Sequence, residues 1–245
     1  MKKFGQMENS IYLALSRQMT LQTNMDIVAN NVANMNTNGF RAQNIAFEEY
    51  ISDPGHGDDP LSFSYDYGEY QNTAPGSQQQ TGNPYNVALN GPGFMGIQSP
   101  TGETVYTRDG NFQRAADGKL VTSAGYPVMG QGGAITIPDN SIEINIDQRG
   151  VVSNQDGELG QLMVVEFDNV QMLEAMGNNV YHSPDAGTPS IKTTVAQGFL
   201  EGSNVKPVVE ITRMIEILRN FQSTQRILQT EHDRLRSAIQ ALTQA

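Results

Sequence analysis

The chain contains no cysteine. Disulfide scaffolds, thiolate metal sites and cysteine nucleophiles are therefore excluded. Tryptophan is absent as well, and the only histidines are His56, His182 and His232. They show no His-x-x-x-His spacing, so zinc has no ligand set. No stretch approaches the roughly 18 apolar residues of a membrane span, which argues against membrane insertion. No apolar run follows Lys2 and Lys3. A cleaved secretory signal is thus not expected, leaving the cytoplasm or export without signal cleavage. Basic charge is also scarce, with 15 Lys and Arg against 26 Asp and Glu. Residues 1–45 carry four basic and two acidic side chains, residues 208–245 five and four, and residues 46–207 six and twenty. So acidic a middle argues against nucleic acid, whose phosphates need a basic face.

What is present lies first at the two ends. Ile11, Ala14, Gln18, Leu21, Met25, Val28, Val32 and Met35 recur at alternating spacings of three and four. So do Ile211, Met214, Leu218, Phe221, Gln225, Leu228, His232, Leu235, Ile239 and Leu242. This repeat predicts two long helices, each burying a narrow stripe against another helix. Helix nucleation is unfavourable and backbone ordering is costly, so neither run is expected to be stable alone. Each needs a partner: the other terminus, or the termini of neighbouring copies. Gln18, Gln225 and His232 interrupt the stripes. They either fix register or sit where the stripe is open to water.

Between the ends the chain divides into four expected segments: an N-terminal helix over 1–39, an arm over 40–84, an all-β domain over 85–203 and a C-terminal helix over 204–245. Gly39 is a candidate for closing the first helix and Asn204 for capping the second, with Pro207 in its first turn. Phe40, Phe47, Tyr50 and Ile51 are candidate anchors. Residues 52–84 hold four prolines, five glycines and Gln78-Gln79-Gln80, which reads as an extended irregular connection. Its aromatics Phe63, Tyr65, Tyr67 and Tyr70 suggest that it docks on something. Ile142, Ile144 and Ile146 alternate with polar residues, and Leu162–Phe167 is a dense apolar run; both predict strands. Further strands are expected at 104–107, 120–122, 134–137 and 191–195, and a helical turn at 171–176. Asp109-Gly110, Asp117-Gly118 and Asp156-Gly157 supply turns between strands. The fold class is mainly β in the centre, with long terminal helices packed as a coiled-coil-like pair.

The chemical motifs are weak. Gly91-Pro92-Gly93-Phe94-Met95-Gly96 fits the letters of a dinucleotide loop, but the following residues look like a strand, so a β-turn is expected. Asn145–Gly150 resembles the start of a calcium loop, with Arg149 where an oxygen ligand belongs. Asp58-Asp59 and Glu48-Glu49 lie in polar surroundings. No nucleophile, base and oxyanion hole assemble, and no cofactor is expected. The rival reading is a secreted enzyme or binding module whose helices only dimerise it; that requires a pocket of convergent titratable groups.

Four stretches resemble one family. Asn30–Arg41, NNVANMNTNGFR, is similar to the N-terminal helix signature of flagellar axial proteins. Tyr106–Phe112, YTRDGNF, followed by Asp117–Thr122 and Gly125–Val128, resembles the central motif of the flagellar basal-body rod proteins. Leu173–Tyr181 resembles the segment after it, and Leu200–Val205 with Met214–Glu216 and Phe221-Gln222 their C-terminal signature. Val32 and Met35 stand where leucine and valine are commoner, both apolar exchanges. The length and the opening Glu8–Ala14 look most like the proximal-rod members; distal-rod members are commonly longer and carry a tryptophan near their start. The resemblance implies a non-enzymatic subunit that passes the flagellar type III export apparatus without signal cleavage. It then polymerises in the periplasm, with itself and other rod subunits, into a hollow helical drive shaft. The terminal helices would line the inner tube and the β domain would face outward.

Overall fold

The computed structural model describes residues 2–52 and 61–243, and the side chains of 12–46, 68–237, 239 and 240. The anchors Phe47, Tyr50 and Ile51, the arm aromatics Phe63, Tyr65 and Tyr67, and His56 and Asp58-Asp59 lie outside the described side chains. The chain divides into two compact units.

One unit gathers Met1–Ala33, Gln43–Tyr70 and Lys206–Ala245. Its elements are helix α1 (Lys2–Ala33), strands β1 (Gln43–Ser52) and β2 (Leu61–Gln71), and helix α2 (Pro207–Thr243). The strands pair as a two-stranded sheet, and α1 packs against α2. Two expectations change here. Part of the expected irregular arm is strand: aromatic residues alternate along Leu61–Gln71, a pattern suited to a pleat. The second helix starts at Pro207, whose missing N–H costs nothing in the first turn. Glu210 lies in that turn, where the helix dipole favours an acidic side chain.

The other unit comprises Asn34–Ala42 and Gln71–Val205. After β3 (Gln78–Gln80) come β4 (Val87–Asn90), β5 (Phe94–Gln98), β6 (Thr104–Thr107), β7 (Phe112–Arg114), β8 (Leu120–Thr122), β9 (Met129–Gly130) and β10 (Gly133–Ala134). Then follow β11 (Asn145–Ile146), β12 (Val151–Asn154), β13 (Gly157–Gln161), β14 (Val164–Glu166), β15 (Glu174–Gly177), β16 (Val180–His182), β17 (Thr188–Pro189), β18 (Thr194–Gln197) and β19 (Phe199–Glu201). A six-stranded sheet in the order β15-β16-β6-β5-β14-β17 is its largest layer.

The alternation of β5 shows why this sheet is buried on both sides. Met95 and Ile97 enter a large aliphatic core with Val87, Leu89, Val105, Phe112 and Leu120. Phe94 points the other way, into a second core with Tyr106, Val165, Leu173 and Tyr181. There its ring stands edge-on to those of Phe167 and Tyr181, with centroids 5.8 Å away in each case. The Asp-Gly pairs at 109 and 117 fall between strands as expected, while at 156 the aspartate lies in the turn and Gly157 opens β13. Asn178 and Asn179, both at positive φ, link β15 to β16. Asparagine tolerates that left-handed conformation, which a tight hairpin requires. The helical turn expected at 171–176 is a short 3-10 turn at Val170–Met172 followed by strand. Ile142 and Ile191 are exposed rather than core.

The β unit begins earlier than residue 85. Gln78–Gln80 forms β3 and pairs antiparallel with Phe199–Glu201. Its three side chains are exposed, so no apolar alternation marks it in the sequence. Residues 34–42 also belong to this unit; Phe40 and Ala42 are buried with Val205.

Candidate assembly interface

The described residues of the first expected seam lie on the covered side of α1. Ala14, Gln18, Leu21, Met25, Val32 and Met35 are half-buried and Val28 is buried. The side chain of Ile11 lies outside the described set. On α2 the seam is displaced by one residue at alternate positions. Met214, Phe221, Leu228 and Leu235 are half-buried, but Ile211, Leu218 and Ile239 are 45%, 46% and 62% exposed. The covered positions between them are Glu210, Ile217, Thr224 and Glu231. Both sets repeat every seven residues, and side-chain polarity favours the wrong one. Gln225 and His232 are exposed with that set, so neither fixes the register of the covered stripe. Leu242 is outside the described side chains.

The polar members of the covered stripe have partners. The Thr224 hydroxyl donates to the Asn220 carbonyl at 3.0 Å. Buried Asn31 donates to the Gln43 carbonyl at 2.8 Å and accepts from the Gln43 N–H at 2.9 Å, closing on the backbone of β1. Its amide also donates to Glu210 at 3.3 Å. One asparagine thus joins α1, β1 and the first turn of α2, and an aliphatic residue there would leave three polar groups unpaired.

The displacement leaves a second apolar stripe on α2. Val208, Ile211, Ile215 and Leu218 follow one another at three, four and three residues, and all are exposed. Tyr12, Leu15 and Met19 make a similar exposed run on α1.

In the β unit the family-like motifs meet at Arg108, which is fully buried. Its Nε donates to Glu201 at 3.0 Å, and its Nη1 donates to the carbonyls of Gly91, at 2.8 Å, and Gly93. The glycine-rich motif therefore receives an arginine through its backbone oxygens rather than holding a phosphate through its N–H groups. Glu201 also accepts from the Gly76 N–H at 3.1 Å, and its backbone carbonyl from Gly39 at 2.8 Å. Gly39 does not close α1, which ends at Ala33. It sits at φ 68° where a Cβ would come within 2.5 Å of the Arg108 backbone. Arg41 lies over the Phe94 ring at 5.5 Å and donates to the Thr73 carbonyl at 2.9 Å. Burial, with the charge of Arg108 beside it, lowers its pKa to about 10. Asn204, expected as a helix cap, accepts from the Ala42 N–H at 2.7 Å and donates to the carbonyls of Asn72 and Ala74. Single residues cannot reveal such long-range partners.

Among the described residues no group of three His, Asp or Glu is placed to hold a metal ion. No described helix is long and apolar enough to cross a membrane.

Three family models match the chain: the flagella basal body rod protein model over residues 11–41, the flagellar hook protein FlgE/F/G D1 domain over 88–154, and the flagellar basal body rod FlgEFG protein C-terminal model over 196–241. The chain is 38% identical to the flagellar basal-body rod protein FlgF of Caulobacter vibrioides and 36% identical to that of Mesorhizobium japonicum, in both cases over 96% of this chain and 98% of the relative. It is 32% identical to FlgG of Buchnera aphidicola subsp. Schizaphis graminum, over 94% and 98% respectively. The matched segments are those that hold the paired helices and the buried Arg108–Glu201 centre, and the chain belongs to the flagellar basal-body rod protein family, in which it is most like FlgF.

Proposed function

We propose that this chain is a structural subunit of the flagellar basal-body rod, in its proximal part, and that it polymerises through its terminal helices. Its partners are further copies of itself and other rod subunits, and it reaches the periplasm through the flagellar type III export apparatus without signal cleavage. It carries no catalytic function. The observation that carries this reading is the second apolar stripe on α2, Val208–Ile211–Ile215–Leu218, which remains uncovered after α1 has packed. The helices carry eight basic and six acidic residues and the rest of the chain seven and twenty, so the like-charged bodies disfavour contact with one another.

In this reading the coiled-coil-like packing of α1 on α2 is completed by neighbouring copies, and the polymer forms a hollow shaft with the helices inside and the β units outside. The test is Leu21→Asp and Leu218→Asp in cells and in purified full-length protein. Both variants should keep the β-sheet circular dichroism signal and lose rod assembly and swimming. Normal swimming of either removes that residue from the interface. A distal place in the same rod is the alternative, decided by which rod mutant the gene complements.

A further inference from the structure

We propose that a polar cavity on the β unit seats an arginine from the exposed face of α2 of a second copy, Arg219 or its heptad neighbour Arg226. The inference rests on the assembly reading above. The cavity, of about 410 Å³, is lined mainly by hydroxyl and amide side chains, among them Thr37, Thr107, Ser123 and Asn179, and Asp109 is its one ionisable residue. Three separate family-like stretches supply these walls.

Asp109 accepts from the Asn111 N–H at 3.0 Å, and Ser123 hydrogen-bonds to it. Burial outweighs both and pushes its pKa above the ordinary carboxylate value; among the described residues no cation offsets it. A neutral asparagine would accept the same Asn111 bond, so the turn does not require the negative charge. A guanidinium entering the cavity would supply the missing counter-charge, and its planar fork suits a carboxylate ringed by oxygen acceptors.

Among the described residues Arg219 and Arg226 of α2 form no ion pair; Lys192 of the β unit forms none either, but its charge lies near Glu166. In the β unit Arg108 is held by Glu201, Arg114 by Asp139, Lys119 by Asp117 and Arg149 by Asp147. Arg219 and Arg226 are exposed, and no ion pair or hydrogen bond of their side chains occurs among the described residues. Arg219 follows the exposed Leu218 directly, at the edge of the apolar stripe. The β unit has six basic and thirteen acidic residues against eight and six on the helices, so the two surfaces attract. In the open helical assembly of the proposed function this contact would repeat from one copy to the next.

Because the chain has no cysteine, introduced pairs report only on themselves. Ala124→Cys, at the exposed rim of the cavity, is combined with Arg219→Cys or with Arg226→Cys in full-length protein and oxidised after assembly. One pair should give a ladder of linked oligomers that neither single variant gives. Asp109→Asn, and Ala124→Phe as an uncharged block, should each raise the concentration for half-association at least about fivefold. Normal pelleting of polymers with no ladder from either pair overturns the socket alone, as does association of Asp109→Asn at the parent's concentration. A full-length chain that never associates overturns the assembly reading and the socket together.

Discussion

Arg108 has no water to fall back on. Its guanidinium is fully buried, and Glu201 is the carboxylate that offsets it while Arg41 adds a second positive charge nearby. Removing one partner of such a pair leaves an uncompensated charge, a loss of about 3–5 kcal/mol. Glu201→Gln should therefore lower the unfolding free energy of the β unit, read from urea titration, by that amount, and Arg108→Met/Glu201→Leu together should recover much of it. A Glu201→Gln variant as stable as the parent would contradict this account. Asp109 has the opposite sign from most carboxylates. Its folded pKa lies above the unfolded value near 3.8, so the folded chain holds the proton more tightly. Stability is then lost as pH rises through the window between the two values. Asp109→Asn should be at least as stable as the parent at pH 7, with the difference vanishing below about pH 3.5. Urea titrations at the two pH values decide it, and a variant weakened at pH 7 would make Asp109 a structural residue.

Under the proposed function, helix α2 separates two roles at adjacent positions. Ile217 is 4% exposed and Leu218 46% exposed. Ile217→Asp places a charge in the covered stripe and should loosen α1 and α2 in the monomer, seen as lost helical circular dichroism. Leu218→Asp should leave the monomer's helix content unchanged and abolish assembly. The opposite pattern would restore the stripe as first read from the sequence. The β unit, in turn, is closed by segments distant along the chain. Phe40, Ala42 and Val205 bury together, and Gly39 bonds the Glu201 carbonyl. A 34–205 fragment should be more stable to urea than a 71–205 fragment by several kcal/mol, since two buried apolar side chains and the Arg41 contacts are lost. Equal midpoints would show that residues 34–42 are a linker.

For the whole molecule, acidic bodies and near-neutral helices predict association driven by the helices. Sedimentation velocity over a concentration series should show the parent chain gaining mass and helix together, and the Leu218→Asp chain doing neither. Salt should strengthen repulsion-limited association by screening the bodies, yet weaken any contribution from Asp109 and an α2 arginine.

Periodicity and punctuation alone determined that helices occupy both ends and strands the centre, because a three-four spacing and an Asp-Gly turn act over a few residues. They also located the motifs that carry the family. The tertiary structure alone decided which of two seven-residue stripes on α2 is covered. The neighbour chosen by packing is Glu210, Ile217, Thr224 and Glu231, against the order of hydrophobicity, because Asn31 and the Asn220 carbonyl satisfy Glu210 and Thr224. Strand β3 was invisible for a related reason. Its glutamines expose their side chains and its backbone pairs with residues 119 to 123 positions away along the chain. Strand formation there follows from a partner's hydrogen bonds rather than from local composition.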